Sequence, residues 1–382
     1  MPFVIGLFFL STLLSLVILS SKFWAGNYFL RIQDLVESID ISQFVLEYML
    51  GYLLFAGSLH TDWHDIRKQL ATISILAVGG VMLSTFIIGS LFYGLSHVCS
   101  LSVNYIYCLL FGALISPTDP IAVLGILTKA NVPKKIEATI VGESLFNDGV
   151  GVVIFIALLE VLKSGENQIN FSHFGILFIQ ESIGGIGFGL LVGYALHKIL
   201  ASIDHYETEV LITLAFVMIG YNLCLILHIS GALAMVVMGL FVGNYNLEKA
   251  MSDVTTDYVD KFWELIDVIL NALLFVIISF TVVMIEFNIK YFIIGFLSIF
   301  IVLLSRVLIV VIPKMLLPKW LDFSLKESKI IVWGGLRGGL SIALALSLPK
   351  GESQNLLLIT TYLCVVFSIL IQGLTVGKLA KQ

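Results

Sequence analysis

The stretch Gly142 to Gly151 reads GESLFNDGVG and sets Glu143, Ser144, Asn147 and Asp148 between apolar runs. On a helix advancing about 100° per residue, Glu143, Asn147, Ser144 and Asp148 point to roughly 0°, 40°, 100° and 140°, one broad polar wall. Gly151 falls inside the same arc, where a second backbone could approach closely. A carboxylate at the centre of a bilayer costs roughly 3 kcal/mol or more unless it is paired, protonated or bound to a cation. The bland reading is a hydrogen-bond network that joins helices. Charge counting favours chemistry: Asp119, Glu143 and Asp148 are the clearly interior acids of the two motif-bearing halves, Arg306 and Arg337 the clearly interior bases, so one carboxylate is left over. If one arginine pairs with Glu143 and the other is matched against broken-helix ends together with Asp119, Asp148 lacks a permanent counter-ion. Desolvation then favours its protonated form and a monovalent cation its ionised form, so proton and ion compete. With neutral Asn147 beside a single titrating group, one cation is expected to exchange for one proton without net charge movement.

Two interrupted segments would position that wall. In GALISPTDPIAVLG, Pro117 and Pro120 each remove a backbone donor and crowd the preceding turn, so no continuous helix is expected through 116–120. In WGGLRGGLSIALALSLP, Gly334, Gly335, Gly338 and Gly339 surround Arg337 and weaken the helix there. One interruption lies in each half of the chain, the pattern of inverted repeats around a midplane site. The freed carbonyls near Ser116, Pro117 and Thr118 are hard oxygen ligands of the kind alkali ions accept. The ion is expected between the Thr118 carbonyl, Ser144 and Asp148, with Asp119 beside it.

Of the 382 residues, 59% are hydrophobic and only 12% charged, about half the charge of an ordinary soluble protein. Apolar runs of about 20 residues recur, without the alternation of a membrane barrel, so the chain reads as an all-α polytopic membrane protein. Twelve spans are expected, at roughly 2–21, 42–59, 70–96, 103–128, 137–163, 174–201, 206–227, 229–246, 262–286, 289–313, 327–347 and 354–378. The first 20 residues lack a basic leader and a cleavage site and read as a retained helix. Loops after even-numbered spans hold fourteen Lys or Arg and the others five, which places both termini in the cytoplasm. Cys99, Cys108, Cys224 and Cys364 lack metal-ligand spacing and read as small apolar residues. No basic patch points to nucleic acid; the expected partner is the bilayer, with no protein substrate and no cofactor.

In SPTDP at 116–120, GESLFNDG at 142–149, LLSRVLIV around Arg306 and GGLRGGL at 334–340, the chain resembles the electroneutral sodium/proton exchangers of the monovalent cation/proton antiporter superfamily, of the bacterial and archaeal NhaP type. The similarity extends over almost the whole chain. It implies Asp148 as the ion- and proton-binding carboxylate, with Asp119, Ser144 and the Thr118 carbonyl as further Na+ ligands. It implies Asn147, Glu143 and Arg306 as a supporting network, and Arg337 as the charge that offsets the broken-helix dipole. The implied fold has two inverted repeats with crossing broken helices at 103–128 and 327–347. A core transport domain, 70–163 and 288–382 with the Asn-Asp helix at 137–163, would slide in elevator fashion against dimerisation helices at 1–69 and 204–287. A linker helix at 172–203 would join them, in a homodimer in the bacterial or archaeal inner membrane. The family usually has thirteen helices with this motif on the sixth. Here it falls on the fifth and Met1-Pro2-Phe3 matches the start of the family's second helix, so the family's first helix is expected to be absent.

His60, His64, His197 and His205 fall at cytoplasmic ends and read as solvated loop residues; Glu207 and Glu209 beside His205 are weak candidates for proton sensing. Glu181 and Asp267 read as interfacial or cavity-facing acids without a specific role. Ligand type alone does not separate sodium from lithium or potassium, so K+/H+ exchange is the alternative reading. A cation channel would need a carbonyl filter loop or rings of charge. An intramembrane aspartyl protease would need its paired aspartates in YD and GxGD settings. Neither pattern occurs around Asp119 or Asp148, and the chain is expected to be a transporter and not an enzyme.

Overall fold

The structure, a computed structural model, describes residues 3–120, 123–124, 127, 132–164, 171–244, 253–285 and 288–381. In chain order the helices are α1 (Phe3–Ser20), α2 (Gly26–Ser38), α3 (Ile41–Leu59), α4 (Trp63–Lys68), α5 (Leu70–Val98), α6 (Tyr105–Ile115), α7 (Lys134–Ser164) and α8 (Phe171–Leu200). They continue as α9 (Tyr206–Leu227), α10 (Gly231–Asn244), α11 (Asp253–Phe280), α12 (Ile289–Leu316), α13 (Leu325–Gly334), α14 (Gly339–Leu346) and α15 (Glu352–Ala380). There is no strand among the described residues. Starts are marked by side chains that satisfy orphan amides: Asp62 for α4, Asn104 for α6, Asn288 for α12, and a reciprocal Ser324–Glu327 capping box for α13.

Among the described residues, seven helices are long and apolar enough to cross a membrane, nine if each bent pair counts as one span. The spans expected at 2–21, 103–128 and 229–246 correspond to shorter apolar helices, Ile5–Ser20, Tyr105–Ile115 and Gly231–Asn244. For 103–128 the physical reason is visible: α6 stops at Ile115, ahead of Pro117. Beyond Pro120 most of that expected span lies outside the described residues. Two helices were not expected, α2 and α4, both in segments read as loops. α2 exposes Tyr28, Leu30 and Leu35, an amphipathic pattern that whole-span hydropathy does not register.

The helices sort into two packed groups. In one, α5 packs on α6 and α12, α12 on α15, α6 on α7, and α14 on α15 and α6. In the other, α3 packs on α10 and α11, α9 on α10 and α11, and α1 on α11. α8 lies along α10 and touches α7. Its outward residues, among them Ile176, Ile183 and Leu191, are exposed apolar side chains, as lipid contact requires.

Both interruptions expected from the sequence are present. Residues 117–120 are non-helical after α6, and residues 335–338 are non-helical between α13 and α14, whose axes differ by 42°. Gly151 on α7 is where the first interruption comes close, since a Cβ there would stand 2.3 Å from the Pro117 ring.

Candidate functional site

α7 runs unbroken through the wall, so Glu143, Ser144, Asn147 and Asp148 are presented by one rigid helix to the two unwound stretches. Thr118 is held entirely by that helix. Its amide donates to Asn147 Oδ1 at 3.2 Å, its hydroxyl accepts from Asn147 Nδ2 at 2.8 Å, and its carbonyl accepts from the Ser144 hydroxyl. Asn147 therefore supplies the amide partner that Pro117 and Pro120 deny the segment. The next residue crosses to the other interruption, where the Asp119 amide donates to the Leu336 carbonyl at 2.8 Å.

The two arginines take different partners. Arg306 from α12 grips Glu143 through both terminal nitrogens, Nη1 to Oε1 and Nη2 to Oε2 at 3.0 Å, and Nη2 also donates to the Ile331 carbonyl at 3.0 Å. This fork ties α7, α12 and the last turn of α13, and both charges are buried. Arg337 instead points its Nη1 at the Ser116 carbonyl and, at 3.1 Å, the Pro117 carbonyl. Those carbonyls follow the end of α6, where no further turn can donate to them and the helix dipole is negative.

Glu143, Ser144, Asn147, Thr118, Arg306 and Arg337 are all at most 4% exposed. Asp119 and Asp148 are the half-buried members of the set, and both line a cavity of about 850 Å³ together with Thr118 and Ser144. Among the described residues no ion pair reaches Asp148, the guanidinium of Arg306 being committed to Glu143 and the Arg337 Nη1 to carbonyls. The cavity thus presents a carbonyl, a hydroxyl and two carboxylates, a hard-oxygen set suited to an alkali cation rather than to a metal that seeks nitrogen or sulfur.

The eight residues singled out from the sequence converge on this one place. Apart from Asp267, which already read as interfacial or cavity-facing, the sequence did not expose a further wall of the cavity. Asp267, Glu264 and Asn271 of α11 line the same cavity, and Asn271 donates to both the carbonyl and the carboxylate of Asp267, at 2.8 and 2.9 Å. Asp62, Asp65 and His60 stand further along it. His60 is also tied down, its ring nitrogens lying 2.8 Å from the Ala56 carbonyl and 3.1 Å from the Asp260 carbonyl. The signal available was acidic residues in two separate segments, which carry no common spacing. Glu209 is fully buried at the start of α9, accepting from the His205 amide at 3.2 Å, and is not among the residues lining this cavity.

The whole chain, residues 1–382, matches the family model described as sodium/hydrogen exchanger, transmembrane. It is 47% identical over 356 residues to the Na+/H+ antiporter NhaP of Pseudomonas aeruginosa, covering 92% of this chain and 84% of that protein. It is 35% identical over 347 residues to the Na+/H+ antiporter NhaH of Halobacillus dabanensis, covering 88% and 82%. Its fold is similar to the solved structure of the sodium proton antiporter MjNhaP1 from Methanocaldococcus jannaschii at pH 8. The TM-score is 0.75 at 20% identity, over 99% of this chain and 97% of that one.

Proposed function

The chain belongs to the sodium/hydrogen exchanger family, among the Na+/H+ antiporters of the NhaP type, and from that premise we propose that it exchanges one Na+ or Li+ for one H+ by letting both compete for Asp148. The observation that carries the reading is the division of charges. Arg306 neutralises Glu143, Arg337 stabilises the end of α6, and Asp148 faces the cavity with no ion pair among the described residues. When Asp148 is ionised, the Thr118 carbonyl, the Ser144 hydroxyl and Asp119 complete an oxygen shell for the cation. When Asp148 takes a proton, that shell loses the charge that held the ion, and the ion leaves. Asn147 stays neutral and holds Thr118 in place, so one charge enters as one leaves. No cofactor enters the cycle.

Lys134 and Glu137 of α7 line the cavity with Asp65, which precedes the basic pair Arg67 and Lys68 in the sequence. With the Lys/Arg-rich loops inside, the cavity opens to the cytoplasm and both termini lie there. The helices α5 to α7 and α12 to α15 move as the carrier of the site in an elevator-type cycle. They slide against α1, α3, α9, α10 and α11, which join a second copy in a homodimer in the plasma membrane.

The test is reconstitution in proteoliposomes with an internal pH dye and a potential-sensitive dye. Wild-type protein should move protons when Na+ or Li+ is added and develop no membrane potential, whereas Asp148→Asn should lower the rate by at least about 100-fold. Wild-type turnover that charges the membrane, a response to K+ alone, or an active Asp148→Asn variant overturns the assignment.

A further inference from the structure

The second interruption has a partner of its own that nothing above uses. α15 contains one wide π-helical turn, Ser368–Gln372, and such turns are rare in regular helices and recur at functional sites. There the Arg337 amide donates to Ser368 Oγ at 2.8 Å, the Ser368 hydroxyl donates to Gln372 Oε1 at 2.8 Å, and Gln372 Nε2 donates to the Trp333 carbonyl at 3.3 Å. Ser368 and Gln372 are 1% and 3% exposed, deep inside the core. The chain of bonds spans the break, with its ends on the residue before Gly334 and the residue after Leu336.

The two halves of the chain are alike in this. Thr118 meets Asn147 29 residues later, and Arg337 meets Ser368 31 residues later. In each case a later helix, α7 for the first break and α15 for the second, returns a neutral polar side chain to the frayed backbone. The consequence at the second break is specific because a peptide group is planar. The unit linking Leu336 to Arg337 receives the Asp119 amide on its carbonyl and gives its own N–H to Ser368. Tilting that plane moves the Asp119 backbone with it.

We propose that Ser368 and Gln372 are positioning residues for ion binding: they fix the Leu336–Arg337 peptide plane, and through it the placement of Asp119 in the cation shell, without adding a charge that could take up a second proton. The proposal rests on the assignment of the ion site to Asp148 and Asp119. Ser368→Ala and Gln372→Ala leave every group in contact with the ion in place and loosen only its geometry.

The measurement is Na+-driven exchange in proteoliposomes at fixed pH over a range of Na+ concentrations, with wild type, Ser368→Ala, Ser368→Thr, Gln372→Ala and Asp148→Asn side by side. Both alanine variants should raise the half-saturating Na+ concentration by roughly three- to tenfold, the scale of one lost hydrogen bond, with the maximal rate within about twofold of wild type. Ser368→Thr, which restores the hydroxyl, should return the half-saturating concentration towards wild type. Unchanged half-saturation with a reduced maximal rate in the alanine variants, or failure of threonine to rescue, overturns the positioning role and leaves the ion site standing. Should an alanine variant not be recovered folded from the membrane, Ser368→Cys, close in volume and a weaker hydrogen-bonding group, carries the same expectation. An active Asp148→Asn variant in the same series sinks the ion-site assignment itself, so the two failures are distinguishable.

Discussion

The two interruptions solve one structural problem with opposite chemistry. At the first, Pro117 and Pro120 end the helix, and the facing helix α7 answers with an amide, a hydroxyl and two acids, one of them spent on Arg306 and the other open to the cavity. At the second, glycines end the helix, and α15 answers with Ser368 and Gln372, neither of which can ionise. The half proposed to titrate and the half that holds are thus separated by residue type, even though both must satisfy the same kind of frayed backbone. Buried polar backbone needs partners in lipid more than in water, but in the proposed cycle only one of the two sites needs its partner to change charge.

The largest effect that could break this contrast is at the pair that removes Glu143 from play. Arg306→Ala strands a buried carboxylate and should lower stability by roughly 3–5 kcal/mol, while the paired apolar replacement Glu143→Leu with Arg306→Met should recover most of that loss. Thermal unfolding in detergent reads both; equal losses in the single and double variants would mean that the fork is not an isolated neutral unit. The next effect sharpens the claim that a single carboxylate titrates in the first half. On the proposed mechanism protonation competes with the cation, so affinity would be full at high pH and fall as pH drops. The half-saturating Na+ concentration should rise about tenfold per pH unit on the acid side, the slope of one-proton linkage. A slope near a hundredfold would put a second proton in the cycle. The smallest effect concerns the second half. A Cβ on Gly338 would meet Asp119 Cβ at 2.7 Å and Oδ2 at 2.8 Å, whereas one on Gly334 meets nothing closer than 3.7 Å. Gly338→Ala should therefore slow Na+-driven exchange several-fold, up to about tenfold, and Gly334→Ala should stay within about twofold; reversed ranks would show that the close approach to Asp119 does not matter.

Much of the site was legible before any coordinates because its signals are local or costly. Proline in an apolar run ends a helix wherever it stands, a cluster of four glycines weakens one, and an acid or arginine in lipid demands a partner. The 100° spacing then gathers Glu143, Ser144, Asn147 and Asp148 without further help. Which arginine meets Glu143 was left open by the sequence, since that depends on how α12 packs against α7. Ser368 and Gln372 were invisible for a different reason: a serine and a glutamine in a membrane helix are ordinary, and only the wide turn of α15 points them at the break. Asp267 and Asn271 of α11 were set aside or unnoticed because which wall of a cavity a residue joins is decided by tertiary packing. The short helices show the same limit from the other side, because hydropathy measures a segment's length in lipid and α6 ends where its proline says it must.

The amide of Asp119 on the carbonyl of Leu336 is a single stitch between two strips of chain from opposite halves of the sequence. Shearing one strip past the other would strand a donor and an acceptor together in a dry interior, so the crossing resists being unpicked. Any journey the cargo makes from one face of the bilayer to the other is then cheapest with the knot left tied, its threads carried along intact.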